Sequence, residues 1–266
     1  MTPDARQVWR LVIQYDGRGF HGFQRQTGLV TVQSALEDAL SIVFDERIII
    51  HGSGRTDAGV HALGQVVSFR ATSSRVVERV RMGLNTMLPR ELSVVGASLE
   101  PPTFHARFSA IGKTYRYRIL NRPDRSPFHD GFAMHVRMPM NWAAVEHGLS
   151  ALVGTHDFST FRGAGCSAKS PVRTIDRAEH TAQGDEHQIE FHGNGFLRYQ
   201  VRKMVGTLVE VGRGRRTADD IAAALAEKNR ERSGKTAYAN GLYLVSVDYR
   251  MEPPGSGSSA AAPTKM

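Results

Sequence analysis

The sequence predicts an α+β fold of two pseudo-duplicated ferredoxin-like units, with antiparallel sheets, helices on one face and a central cleft. Two observations predict it. Strand-like and helix-like periodicities follow one another in the order βαββαβ in the first part of the chain. A looser pass of similar order begins at Lys113, with no residue-level repeat between the two. The chain therefore divides into an N-terminal unit (1–104), a C-terminal unit (105–250) and a tail (251–266).

Residues 8–14 (VWRLVIQ) read as a strand that leads into a glycine-rich loop, YDGRGFHGFQRQTG. Val32, Ala35, Leu36, Ala39, Leu40 and Val43 then recur at helical spacing on one face, with Thr31 as N-cap. Ile48, Ile49 and Ile50 and the run Gln65–Phe69 read as strands bracketing a turn. Residues 75–87 read as a second helix stopped before Pro89, and LSVVGASL as the closing strand. In the second unit KTYRYRIL is a strand. An Asn141-capped helix follows, with Trp142, Val145, Leu149, Leu152 and Val153 on one face. Strands near 172–182 and 187–193, two further helices and GLYLVSVDY complete it. The tail, ending PPGSGSSAAAPTKM, has no periodicity and is expected to be disordered.

Composition narrows the function classes. With 266 residues, 41% of them apolar, the chain can bury one large core or two small ones. It has no apolar run long enough to span a bilayer, and MTPDARQVWR lacks a signal-peptide core, so a cytoplasmic location is expected. The single cysteine, Cys166, excludes an internal disulfide and a Cys-rich zinc site. His21, His51, His61 and His105 make no metal-ligand spacing with a cysteine, so no metal is expected. Lys and Arg number 34 against 26 Asp and Glu, and most of the basic set is arginine, which suits contact with phosphates.

The turn Gly52-Ser53-Gly54-Arg55-Thr56-Asp57-Ala58-Gly59-Val60-His61-Ala62 sets a carboxylate between two strands, with Arg55 two residues before it. Its glycines permit left-handed or crowded backbone and leave room for a close approach. On pattern alone, however, Asp57 is a turn residue that satisfies nearby backbone donors.

SGRTDAGVHALGQVVSF resembles the signature of the tRNA pseudouridine synthase A family, in which the aspartate of GRTD is catalytic. YDGRGFHGFQRQ, FHARFSAIGKTYRYRI, HDFSTFR, NGFLRYQVRKMVGTLVEVG and GLYLVSVDY resemble the same family in order, so the likeness runs from Val8 to Tyr249. Gln200 departs from it, standing where relatives often carry methionine. The resemblance implies an isomerase that turns uridine into pseudouridine at positions 38–40 of the tRNA anticodon stem-loop. It implies a homodimer, tRNA as partner and no cofactor; the lack of a long apolar run leaves no membrane expected. It makes Asp57, Tyr115 and Arg202 the catalytic set.

Alternation in Tyr115-Arg116-Tyr117-Arg118-Ile119 puts the two tyrosines on one face and the arginines on the other. Without the resemblance Tyr115 reads as core; with it, the ring stacks on the uracil and the phenol takes part in proton transfer. Arg198 and Arg202 lie four apart beside the stripe Val201, Met204, Val205, Leu208 and Val209. There Arg202 is expected to hold Asp57 ionised through a bidentate contact. Arg55 is expected to hold the flipped nucleotide's phosphate or fill the gap it leaves in the stem. Arg18, Arg25, Lys169, Arg173 and Arg198, with Arg213, Arg215 and Arg216, are candidate RNA-backbone contacts. Asp57 has three routes open to it: addition at C6, attack at C1′, or assistance in forming a glycal. Two other classes compete. One is a non-catalytic RNA-binding module, against which the presence of Asp57, Tyr115 and Arg202 stands. The other is a C5 methyltransferase using Cys166, against which the missing strand-GxGxxG-helix fingerprint stands.

Overall fold

The computed structural model describes residues 6–72 and 75–250, so the predicted tail 251–266 lies outside the described residues. In β1 (Gln7–Tyr15) the alternate residues Trp9, Leu11, Ile13 and Tyr15 are buried. Helix α1 (Val32–Phe44) starts where Thr31 predicts: Ser34 N donates to the Thr31 hydroxyl at 3.1 Å, and Thr31 N donates to Ser34 Oγ at 3.0 Å. At its other end Phe44 meets Trp9 edge-on at 5.2 Å and fixes the helix to the sheet.

The isoleucine run departs from expectation. Only β2 (His51–Gly52) is a strand there, pairing with Ser68 and Val67 of β3 (His61–Ala71). The physical reason is competition for donors and for an edge. Ile48 N donates to Ser41 Oγ and Ile50 N to Glu37 Oε1, so α1 side chains take the amides a ladder would use. The other end of the same β3 edge is occupied by the final strand, β10 (Leu242–Tyr249), paired in parallel at His61 and Ala62.

Helix α2 (Val77–Met87) and β4 (Leu92–Glu100) close the first half, giving the local order β4-β1-β3-β2. The second half runs β5 (Ala110–Asn121), β6 (Met134–Val136), α3 (Trp142–Ser150), β7 (Gly154–Asp157), β8 (Val172–Gln183), β9 (Glu186–Gly193), α4 (Gln200–Gly212), α5 (Asp219–Glu227) and β10. Its core order is β10-β5-β9-β8. Asn141 caps α3 through Ala144 N, but the helix ends at Ser150, so Leu152 and Val153 do not extend its face. The chain tightens there through Leu152 N to Leu149 O and turns at Gly154 (φ +116°), leaving Val153 39% exposed.

Where two sheets were expected, one ten-stranded open sheet in an α+β fold is found, with path β4-β1-β3-β10-β5-β9-β8-β7. The short β3–β10 pairing makes the join. His61 sits on it, stacked 4.6 Å from Tyr243, with Gly17 N donating to its Nδ1 and its Nε2 on Gly131 O. Burial lowers its pKa, although Asp16 pulls the other way. One hydrophobic cluster runs under both halves, from Trp9, Leu36 and Phe69 to Tyr117, Phe191 and Val205.

Candidate active site

A cleft of about 1140 Å³ opens beside the join of the halves, lined by the 21–26 loop, residues 49–60, the 105–108 loop, Lys113, Tyr115 and residues 196–202. The Asp57 turn forms one wall and is bonded from every side. Gln65, fully buried on β3, donates through Nε2 to Gly54 O at 2.8 Å and accepts from Ser53 Oγ at 2.6 Å. Tyr15 OH and Thr56 Oγ1 lie 2.8 Å apart, and Phe23 N donates to Thr56 O. A carboxylate on such a turn is preorganised rather than free to search.

The glycines of the turn serve mainly crowding. Gly59 takes a left-handed φ of +78°. Gly52 has the phenyl ring of Phe23 where a Cβ would stand, 2.5 Å away, so the space it leaves is filled by the protein itself. A Cβ at Gly54 would stand 3.1 Å from Lys113 Nζ and 3.9 Å from the Tyr115 hydroxyl, and all three residues line the cleft.

Arg202 comes from the first turn of α4 and reaches Asp57 across 145 residues of sequence, Nη1 to Oδ2 at 2.8 Å. The contact is single rather than bidentate, because Nε donates to Ala237 O at 2.8 Å. Asp57 Oδ1 therefore accepts nothing from the described residues. Side-chain exposures of 16% for Arg202 and 28% for Asp57 leave the pair half in the cleft. Tyr199, in the left-handed region at φ 62°, starts α4 and lays its ring under both Arg198 and Arg202, 4.9 and 5.1 Å from the guanidinium carbons. Gly163 makes room for that ring.

Tyr115 and Tyr117 share the buried face of β5, as alternation predicts, but they differ in use. Tyr117 donates to Tyr238 O, whereas the Tyr115 hydroxyl has no hydrogen-bond partner among the described residues and lines the cleft. Burial first, then Tyr15 and Asp57, push the Tyr115 pKa far above its ordinary value, so it is a neutral phenol. Phe196 meets its ring edge-on at 5.1 Å.

Across the chain, residues 11–109 and 149–250 match the family described as tRNA pseudouridine synthase. The chain belongs to that family. It is 45% identical to the tRNA pseudouridine synthase A of Caulobacter sp. (strain K31), over 92% of this chain and 98% of the relative. Against the proteins of that name from Rhodospirillum centenum and Neisseria gonorrhoeae (strain NCCP11945) the identities are 43% and 41%. The matches cover 91% and 94% of this chain, and 100% and 94% of the relatives.

The predicted RNA contacts fall into two groups. Arg55, Arg173 and Arg198 line the cleft. Arg55 and Arg198 are exposed without an acidic partner among the described residues, and Arg173 Nη1 donates only to the Ser170 and Val172 carbonyls. Arg198 precedes α4, because Tyr199 breaks the helical path, so it does not share a helix rim with Arg202. Lys169 is exposed on the adjoining loop, outside the lining. Arg18 is held by Asp16 at 2.6 Å and lies over Phe132, and Arg25 is held by Glu37 and Asp38; neither lines the cleft. Arg216 is held by Glu210 at 2.6 Å, and with Arg213 and Arg215 lies outside the cleft.

Sequence reasoning passed over Lys113. Its Nζ donates to Ser53 O at 2.7 Å, and it lies under Gly54 beside Tyr115. Burial, with Arg107 and Arg173 nearby, pushes its pKa down to about 8. The signal was present, since Lys113 is two residues before Tyr115 on the same face of a strand, where a solvated charge is out of place. Cys166 also lines the cleft. Burial pushes its thiol up, but backbone amides of Ala168 and Arg198 and the Arg162 side chain bring it below its ordinary value. Among the described residues no three His, Cys, Asp or Glu side chains converge as a metal site requires.

Proposed function

We infer that the cleft isomerises uridine to pseudouridine at positions 38–40 of the tRNA anticodon stem-loop, with Asp57 as the reacting carboxylate. Family membership makes the chain a tRNA uridine isomerase; the positions and the residue roles are the inference. In this isomerisation the N1–C1′ bond breaks and a C5–C1′ bond forms. The C5 hydrogen leaves as a proton and N1 gains one, so no electrons or groups are exchanged with a co-reactant.

The observation that carries the reading is the Arg202–Asp57 contact, with Oδ1 left open to the cleft. A carboxylate so held is available as nucleophile or as stabiliser of charge developing on the sugar. Tyr115, which lines the same cleft, offers a ring to hold the detached base and, as a neutral phenol, a donor able to pass a proton along. A uridine in a helical stem must leave its stack to reach a residue this deep. Arg55 at the turn's exposed edge, with Arg173 and Arg198, supports its phosphates.

The reading includes two ferredoxin-like units divided near residue 104, supported by the matching orders β4-β1-β3-β2 and β10-β5-β9-β8. It also includes a homodimer acting on tRNA in the cytoplasm; among the described residues no helix is long and apolar enough to cross a membrane. The test is to treat unmodified tRNA transcripts with the purified protein and map pseudouridine at single-nucleotide resolution. Product confined to positions 38–40 is expected. Product elsewhere in the tRNA overturns the positions, and its absence overturns the activity.

A further inference from the structure

Three rings form a stack at the cleft wall that neither the core nor the Asp57 cluster uses. His51 and His105 are 4.8 Å apart at 29°, and His105 and Phe108 are 4.4 Å apart at 36°. Phe108 ends the stack 77% exposed. A phenyl ring so displayed is not held out by slack in the chain. Ala106 is fully buried, its N–H donating to Ser68 Oγ at 3.0 Å and its carbonyl accepting from Tyr249 OH at 2.7 Å. Ser68 also pairs with His51 across β2–β3, so both histidines hang from one point of the sheet.

His105 Nδ1 accepts from the backbone amides of Arg107 and Phe108, which leaves the proton on Nε2, where no described residue takes it. Burial, then His51 and Arg107, lower its pKa, so the ring is neutral and suited to stacking. Arg107, 5.7 Å from the Phe108 ring, has no acidic partner among the described residues. All four residues line the same cleft as Asp57. Rigid exposed rings beside an unpaired guanidinium match a ligand that is planar and anionic. Single-stranded nucleic acid is bound by such platforms, with bases on rings and phosphates on cations.

We propose that His51, His105 and Phe108 form a stacking subsite for an unpaired nucleobase next to the uridine held at Asp57, with Arg107 on the intervening phosphate. The subsite rests on the tRNA reading given above. It holds the flanking base after the target leaves its stack, which lowers the cost of keeping the loop open.

The experiment uses unmodified tRNA carrying 2-aminopurine on either side of the target uridine. Binding by the Asp57→Asn protein is expected to quench one of the two probes, and adding Phe108→Ala is expected to abolish that quenching. In the otherwise wild-type chain, Phe108→Ala is expected to raise the KM and Kd for tRNA roughly tenfold, with kcat moved less and Phe108→Trp restoring both. Because Phe108 is exposed, its thermal melt should match wild type, which separates this result from misfolding. Unchanged KM and unchanged probe emission overturn the subsite. So does a change in oligomeric mass in Phe108→Ala, which would assign the ring to a second copy of the chain. A wild-type protein that binds tRNA but makes no pseudouridine overturns the underlying reading, a failure distinguishable from either.

Discussion

The two faces of β5 treat positive charge in opposite ways. On the face away from the cleft, Arg118 is held by both oxygens of Glu186, at 2.7 and 2.9 Å, and Arg116 by Glu190, at 3.1 Å. Arg118 in turn holds the Glu186 carboxyl down to about 2. On the cleft face and around it, Lys113 bonds a carbonyl, Arg173 bonds carbonyls, and Arg55, Arg107 and Arg198 have no carboxylate at all among the described residues. The one exception is Arg202, whose carboxylate is Asp57. A net charge of +8 says only that anions are attracted. The pairing pattern says where: charge cancelled on one side of the strand stands uncancelled on the other, around a single held aspartate.

That contrast breaks or holds at particular residues. Short of removing Asp57, the largest effect is expected from Arg202→Ala, a fall in kcat on the order of 100-fold with tRNA affinity nearly kept, as when one donor to a reacting charge is lost. Arg202→Lys should recover little, because one ammonium cannot hold both Asp57 and the Ala237 carbonyl as the fork does. A wild-type rate in either variant would detach Arg202 from the chemistry.

A second effect is read from pH. The Lys113 ammonium is present below about 8 and lost as pH rises through it, releasing the Ser53 carbonyl beside the Asp57 turn. An alkaline fall in kcat/KM near pH 8 is therefore expected. It should move upward in Lys113→Arg, whose guanidinium stays charged. An alkaline limb identical in the two proteins would remove Lys113 from that role.

Smaller effects separate the faces directly. Arg55→Gln, Arg173→Gln and Arg198→Gln should each flatten the salt dependence of tRNA binding by about 0.7–0.9 in log–log slope, one phosphate contact apiece. Arg116→Gln and Arg118→Gln should leave the slope unchanged. Equal slopes for both sets would erase the distinction. The smallest effect is on stability: Arg116→Gln should cost under about 1 kcal/mol in denaturant unfolding, as expected of a partly exposed pair.

Much of the scaffold was legible because local rules and tertiary packing agree in it. Thr31 caps α1, Pro89 follows the end of α2, and alternation in β5 sorts the tyrosines from the arginines. The isoleucine run was misread because period alone cannot show that Glu37 and Ser41 of a neighbouring helix would take its amides. The single sheet was hidden for a similar reason, since the β3–β10 pairing joins residues far apart in sequence. Within the site, the glycine-flanked turn alone left Asp57 a turn residue, and both its role and its pairing with Arg202 rested on likeness to relatives. Arg18 and Arg25 were not separable from the cleft arginines, because a sequence does not reveal which arginines fold onto Asp16, Glu37 and Asp38.

The central claim is that Asp57 in this cleft carries out the isomerisation while the cations around it bind the RNA. It is tested most directly with tRNA tritiated at uridine C5, measuring tritium release and tRNA binding for the wild-type and Asp57→Asn proteins together. The expected result is release by the wild type and a loss of at least about 1000-fold in Asp57→Asn, with the two binding curves nearly superimposed. Release at a near-normal rate from Asp57→Asn would contradict the account.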